Sequence, residues 1–226
     1  NSTCTNDQDG GSDCSLPLDL GDQRAFKLEA FPQDWGGSAK DCAWLRTNQS
    51  TPSGDIVMML QIVTLSTTLV LDGCTLEMDS TKLFANHTAS QQPWIVIKNG
   101  GALKFTSTMG EPSFLRATNA NYGVLMDIQS GGTLSVDAGA SGSAFLRDGH
   151  VTTRSGHSGA WHVGSGGTMS LSNGALVYGS STTSASTATI SVNGGTLLVN
   201  DASVFNVGQT GTGINLENTG TSSLAN

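Results

Sequence analysis

Residues 128–136 read Ile128-Gln129-Ser130-Gly131-Gly132-Thr133-Leu134-Ser135-Val136. Apolar and polar residues alternate on both sides of the paired glycines, which is the periodicity of a β-strand. Adjacent glycines permit positive φ and therefore a tight bend. The stretch predicts a strand, a corner and a second strand. The pattern occurs again at Leu71-Asp72-Gly73-Cys74-Thr75-Leu76-Glu77-Met78, at Ile97-Lys98-Asn99-Gly100-Gly101-Ala102-Leu103-Lys104-Phe105, at Val163-Gly164-Ser165-Gly166-Gly167-Thr168-Met169-Ser170-Leu171 and at Val192-Asn193-Gly194-Gly195-Thr196-Leu197-Leu198-Val199. A degenerate last copy is Leu216-Glu217-Asn218-Thr219-Gly220-Thr221. The first glycines stand at 73, 100, 131, 166 and 194, so the steps are 27, 31, 35 and 28 residues.

Each copy carries two more short apolar runs. One is Phe114-Leu115, Phe145-Leu146, Leu176-Val177 and Val204-Phe205; the other is Val124-Leu125-Met126, Ala160-Trp161, Thr189-Ile190 and Gly213-Ile214. Three strands per repeat make one coil of a parallel β-solenoid, whose apolar interior is buried only when coils stack. The predicted register stacks Leu76/Met78, Leu103/Phe105, Leu134/Val136, Met169/Leu171 and Leu197/Val199 inward. Outward columns then read Thr75, Ala102, Thr133, Thr168, Thr196 and Glu77, Lys104, Ser135, Ser170, Leu198. About six coils at ~4.8 Å give a rod of roughly 30 Å.

Composition fits this plan. Of 226 residues, 29 are glycine and only 12% are charged, and the formal net charge is −8. An acidic balance argues against nucleic acid or an anionic membrane as a partner. No apolar run reaches the ~18 residues of a membrane span. Twelve of the 18 acidic residues precede Ser80, and no Lys or Arg follows Arg154. Acid–base and metal chemistry are therefore expected only ahead of about His162, because both need ionisable groups.

The first 53 residues differ from the rest and are expected to form an arm and cap ahead of a solenoid over residues 54–226. Four cysteines, Cys4, Cys14, Cys42 and Cys74, suit two disulfides in one of three pairings. Cys4–Cys14 would close a polar loop, and Cys42–Cys74 would tie the cap to the first coil. Ser38 is a candidate N-cap for a helix over Ala39–Arg46, with Asp41 in its first turn. Sequons at Asn1, Asn48 and Asn86, together with the cysteines, predict a secreted eukaryotic glycoprotein. A chain that begins at Asn1 reads as a processed product. The strand-like Ile214-Asn215-Leu216 close to Asn226 suggests a continuing chain or an open end that pairs with another molecule.

Residues 54–76, from Gly54-Asp55-Ile56-Val57 through Leu71-Asp72-Gly73-Cys74-Thr75-Leu76, resemble the opening coils of right-handed parallel β-helix proteins of the pectin-lyase-like type. The Gly-Gly-[Ala/Thr]-[Leu/Met] copies at 100–103, 131–134, 166–169 and 194–197 resemble repeats of autotransporter passengers and polymorphic outer-membrane-protein type surface proteins. The resemblance implies an all-β, right-handed, single-stranded parallel β-helix with a disulfide-stabilised N-terminal cap. It also implies a surface-protein role, or activity on polysaccharides as in the enzymes of that group.

For catalysis, the residues to weigh are Asp148, His150, Arg154 and His157, in Arg147-Asp148-Gly149-His150 and Arg154-Ser155-Gly156-His157, followed by Trp161-His162. They bring acid, base and aromatic groups into one repeat. The Asp-Asp, Gly-His-Gly and Arg-x-Lys motifs of the pectinolytic enzymes are missing, and the competing reading is a polar corner loop. His150, His157 and His162 lack a completing carboxylate or thiolate, so no metal and no cofactor is expected. The Thr column raises ice binding, but the neighbouring Glu, Lys, Ser, Ser, Leu column breaks the regular Thr pairs that would need. Trp35, Trp44, Trp94 and Trp161 are scattered, which favours core or cap packing over sugar stacking. The expected function is thus a secreted structural or adhesive protein of a cell surface, matrix or filament, partnered by copies of itself, by other surface proteins or by polysaccharide. A polysaccharide lyase or glycoside hydrolase is the alternative, and a carbohydrate- or ice-binding module the second.

Overall fold

A computed structural model describes residues 5–6, 12–13, 33–49, 56–85, 93–109, 111–117, 126–139, 144–147, 159–179, 188–206, 212–217 and 221–225. Among these the chain is mostly β, with one short helix, Cys42–Gln49. The strands form a seven-stranded and a twelve-stranded sheet, every pairing in them parallel, beside a small antiparallel pair, Thr5–Asn6 with Ser12–Asp13.

The pairing resolves into three ladders that the chain visits in rotation. The first runs Lys40–Asp41, Leu69–Asp72, Ile95–Lys98, Met126–Ile128, Gly159–Val163, Ala188–Asn193 and Thr212–Glu217. The second starts at Ile56–Met59, Thr75–Asp79, Ala102–Thr106 and Thr133–Asp137 and ends at Thr221–Ala225. The third contains Gln33–Trp35, Ile62–Leu65, Lys82–Ala85, Ser113–Ala117 and Ala144–Arg147. The long strands Thr168–Gly179 and Thr196–Asn206 belong to the last two ladders at once, so those ladders share one sheet; the register shifts between Ser172 and Ala175. Rotation among three parallel ladders is compatible with a solenoid.

The inward stacks have the register read from the sequence. Leu76, Leu103, Leu134, Met169 and Leu197 oppose one another rung by rung, as do Met78, Phe105, Val136, Leu171 and Val199. All ten are buried. The third ladder pairs Phe114 with Phe145 and Leu115 with Leu146; the first pairs Met126 with Trp161 and Trp161 with Ile190. Trp35, Trp94 and Trp161 are core residues, and Trp44 packs against the core. The Thr column also continues beyond Thr196 to Thr221.

The glycine corners work through two separate constraints. The first glycine of each pair has positive φ, 81° at Gly100 and 72° at Gly131. The second has no room for a side chain: a Cβ on Gly101 would lie 2.1 Å from the Leu71 carbonyl oxygen, and one on Gly167 2.4 Å from that of Ile128. Hydrogen bonding continues through the corner, since the Gly100 N–H donates to the Gly131 carbonyl (3.0 Å) and the Gly131 N–H to the Gly166 carbonyl (2.9 Å). Cys74 takes the second position in the first copy. Lys40 and Asp41 pair with Leu69 and Val70, but the next residue, Cys42, opens the helix instead of continuing the strand. The Cys42–Cys74 disulfide forms there, with Cα atoms 5.9 Å apart.

The helix begins later than the sequence suggests. Its N-cap is Asp41, whose carboxylate accepts the Trp44 N–H at 2.8 Å, and not Ser38. The reason is tertiary: pairing with Leu69 and Val70 keeps Lys40 and Asp41 extended, so the helix can start only after them. Leu45 is buried beneath it, Trp35 meets Trp44 edge-to-face at 5.2 Å, and the Lys40 ammonium lies 4.6 Å from the Trp44 ring centre.

Candidate functional site

The outward face of the first ladder carries the chemistry. Side chains alternate along a strand, so Met126, Ile128, Trp161, Val163, Ile190 and Val192 point into the core while Asp127 and His162 lie on the opposite face, in a column that continues to the buried Ser191. Asp127 and His162 are register partners on adjacent rungs. Asp127 Oδ1 lies 2.7 Å from His162 Nδ1, and Asp127 Oδ2 accepts a hydrogen bond from Gln129 Nε2 at 2.8 Å. Both side chains are partly exposed, His162 at 29% and Asp127 at 22%.

The ring lies over Gly164, where an added Cβ would stand 3.4 Å from His162 Cε1, an ordinary contact distance. With Asp127 ionised, His162 donates from Nδ1, which fixes the ring orientation and leaves Nε2 as the atom that takes up or gives a proton. Such a carboxylate-held imidazole can act as a general acid or base. Ser191 follows His162 in the column but is fully buried, so a substrate in solvent does not reach it as a nucleophile.

One rung before Asp127 the face carries an ion pair, Lys98 Nζ to Asp72 Oδ2 at 3.4 Å, and Asn99 Nδ2 donates to the other oxygen of Asp72 at 3.1 Å. The second ladder presents a blander face. Its Thr column stands beside Glu77, Lys104, Ser135, Ser170 and Leu198, in the expected register.

Asp148, His150, Arg154 and His157 lie outside the described residues, as do Cys4, Cys14, Asn1 and Asn86. Asn48 is described and exposed. Among the described residues, no group of three or more His, Cys, Asp or Glu side chains could hold a metal ion, and no helix is long and apolar enough to cross a membrane.

The Asp127–His162 pair is not among the candidates read from the sequence, which weighed His162 only as a possible metal ligand and beside the Asp148–His157 cluster. The signal was present: the step from Gly131 to Gly166 is 35 residues, and so is the step from Asp127 to His162. Asp137 is carried by the same step onto Ser172, and it accepts a hydrogen bond from the adjacent Asn173 Nδ2 at 2.8 Å. No family model, curated protein or solved structure matches this chain.

Proposed function

We propose that this chain is an extracellular structural or adhesive rod, wound as a right-handed parallel β-helix of the pectin-lyase-like type, at a cell surface or in a matrix. Its partners are copies of itself, other surface proteins or polysaccharide. The observation that carries this reading is the inward stack of Leu, Met, Phe and Val from rung to rung beneath an outward column that is Thr at every position but Ala102. Rung-to-rung hydrogen bonds and a continuous apolar core stiffen such a body along its axis, and the Thr column gives it a row of short hydroxyl side chains. The Cys42–Cys74 bridge supports an oxidising compartment. The test is fractionation of the source cells, with the thiol state read by alkylation of the denatured protein. Recovery in the surface or matrix fraction with Cys42 and Cys74 bridged is expected; an intracellular protein with both thiols free overturns the reading.

Asp127 and His162 favour a second reading, a polysaccharide-active enzyme that uses His162 as acid or base on the first ladder's outward face. Incubation with acidic polysaccharides decides between the two. Cleavage that Asp127→Asn and His162→Asn each abolish establishes the enzyme and removes the purely structural role.

A further inference from the structure

Asn48 stands in the last turn of the cap helix with its side chain exposed, while Cys42 and Leu45 of the same helix are buried. Its Nδ2 donates to the Trp44 carbonyl oxygen at 2.8 Å. A primary amide has two hydrogens on that nitrogen, and this bond uses one. The sequence continues Asn48-Gln49-Ser50, an acceptor sequon for N-linked glycans. The same helix is fastened by the Cys42–Cys74 disulfide, a bond that forms and persists in the oxidising, secretory compartments. The sequon and the disulfide are independent observations, and both point to the same route through the cell.

We infer that Asn48 carries an N-linked glycan that projects from the exposed face of the cap helix; the inference rests on the extracellular reading above. In the transfer, Asn48 Nδ2 bonds to the anomeric carbon of an oligosaccharide carried on a lipid pyrophosphate. The carbon–oxygen bond to the pyrophosphate breaks, the lipid pyrophosphate leaves with the electron pair, and a base of the transferase takes one amide proton. One N–H remains on Nδ2 after the transfer, so the nitrogen keeps a donor. The glycan also stays clear of the stacked ladders, because Asn48 is on the solvent side of the helix.

The test is the full chain secreted from a eukaryotic host and treated with peptide-N-glycosidase in heavy-oxygen water. Peptide mass spectrometry is expected to find Asn48 converted to Asp carrying the heavy label. Ser50→Ala, which leaves the Asn48 side chain and its bond to Trp44 in place, is expected to abolish the label. Asn48 recovered unmodified from secreted protein with Cys42 and Cys74 bridged overturns this inference alone. Asn48 unmodified with both thiols free overturns the extracellular reading as well.

Discussion

Gly132 sits against the preceding rung so closely that a Cβ would lie 2.2 Å from the carbonyl oxygen of Ile97. The Ile97 carbonyl also accepts the Gln129 N–H at 2.8 Å, so it cannot turn away without breaking the ladder. Gly132→Ala therefore forces two rungs apart. The expected cost is about 3 kcal/mol or more, in the range of severe overpacking. Gly100→Ala is the matched control: its φ is +81°, but no atom lies within 4 Å of an added Cβ. It should cost only the left-handed backbone penalty, about 1–2 kcal/mol. Urea denaturation of the two variants checks the order; equal losses would mean that φ alone accounts for the glycine pairs.

The corner between the second and third ladders makes an opposite prediction. There residues other than glycine hold left-handed positions: Leu60 (φ 52°), Ser80 (51°), Asn173 (53°) and Asp201 (51°). Asn and Asp tolerate this conformation and Leu does not. Leu60 is also 38% exposed, so little packing offsets the strain. Leu60→Asn should stabilise the protein by about 0.5–1 kcal/mol. The Leu60 N–H bond to the Asp79 carbonyl, 3.1 Å, is unaffected by the change. A lower thermal midpoint for this variant would show that the Leu60 side chain contributes packing that its exposure does not reveal.

The two kinds of corner also explain what could be read from the sequence. The glycine pairs are visible because two physical demands, positive φ and the absence of a Cβ, fall on neighbouring residues at each rung. They locate the first corner, and the alternation on either side gives the register of Leu103, Phe105, Leu134 and Val136 without error. The other corner has left-handed Leu60, Ser80, Gly139, Asn173 with Gly174, or Asp201 from rung to rung, so it leaves no common mark. The helix start was misjudged for another reason. Ser38 and Asp41 are both good N-caps locally, and only the pairing of Lys40 and Asp41 with residues almost 30 positions later decides between them. The Asp127–His162 pair required carrying the 35-residue glycine step onto polar residues, where no apolar periodicity draws attention to it.

The cap should depend on its disulfide. Cys42 and Cys74 are 32 residues apart in sequence, and a crosslink closing a loop of that length removes about 3–4 kcal/mol of unfolded-chain entropy in the loop-closure picture. Cys42→Ser with Cys74→Ser is expected to lower stability by about that amount. Hydrogen exchange should rise first in the helix Cys42–Gln49 and the strand Lys40–Asp41, because Thr133–Asp137 and the rungs after it keep neighbours on both sides. Uniform acceleration across all three ladders would instead make the bridge a fastening of the whole stack.

Asp79 joins two rungs from within the protein. It is 4% exposed, and its Oδ1 accepts the Thr108 N–H at 2.8 Å and the Ser80 hydroxyl at 3.1 Å. Its Oδ2 accepts the Thr108 hydroxyl. One carboxylate thus satisfies three donors and holds the corner after Ala102–Thr106 against the corner after Thr75–Asp79. Asp79→Ala leaves those donors without their acceptor, and the methyl that replaces the carboxylate offers none. A loss of about 1–3 kcal/mol is expected, the cost of orphaning one buried donor, because the Ser80 hydroxyl is buried whereas Thr108 is exposed and its N–H and hydroxyl can turn to water. Asp79→Asn should lose about half as much, because its carbonyl oxygen still accepts from Thr108 N–H and the Thr108 hydroxyl can rotate to accept from the new amide. Equilibrium unfolding of both variants separates the cases. If Asn and Ala are equally damaging, it is the charge of Asp79, and not its count of acceptors, that holds the two corners together.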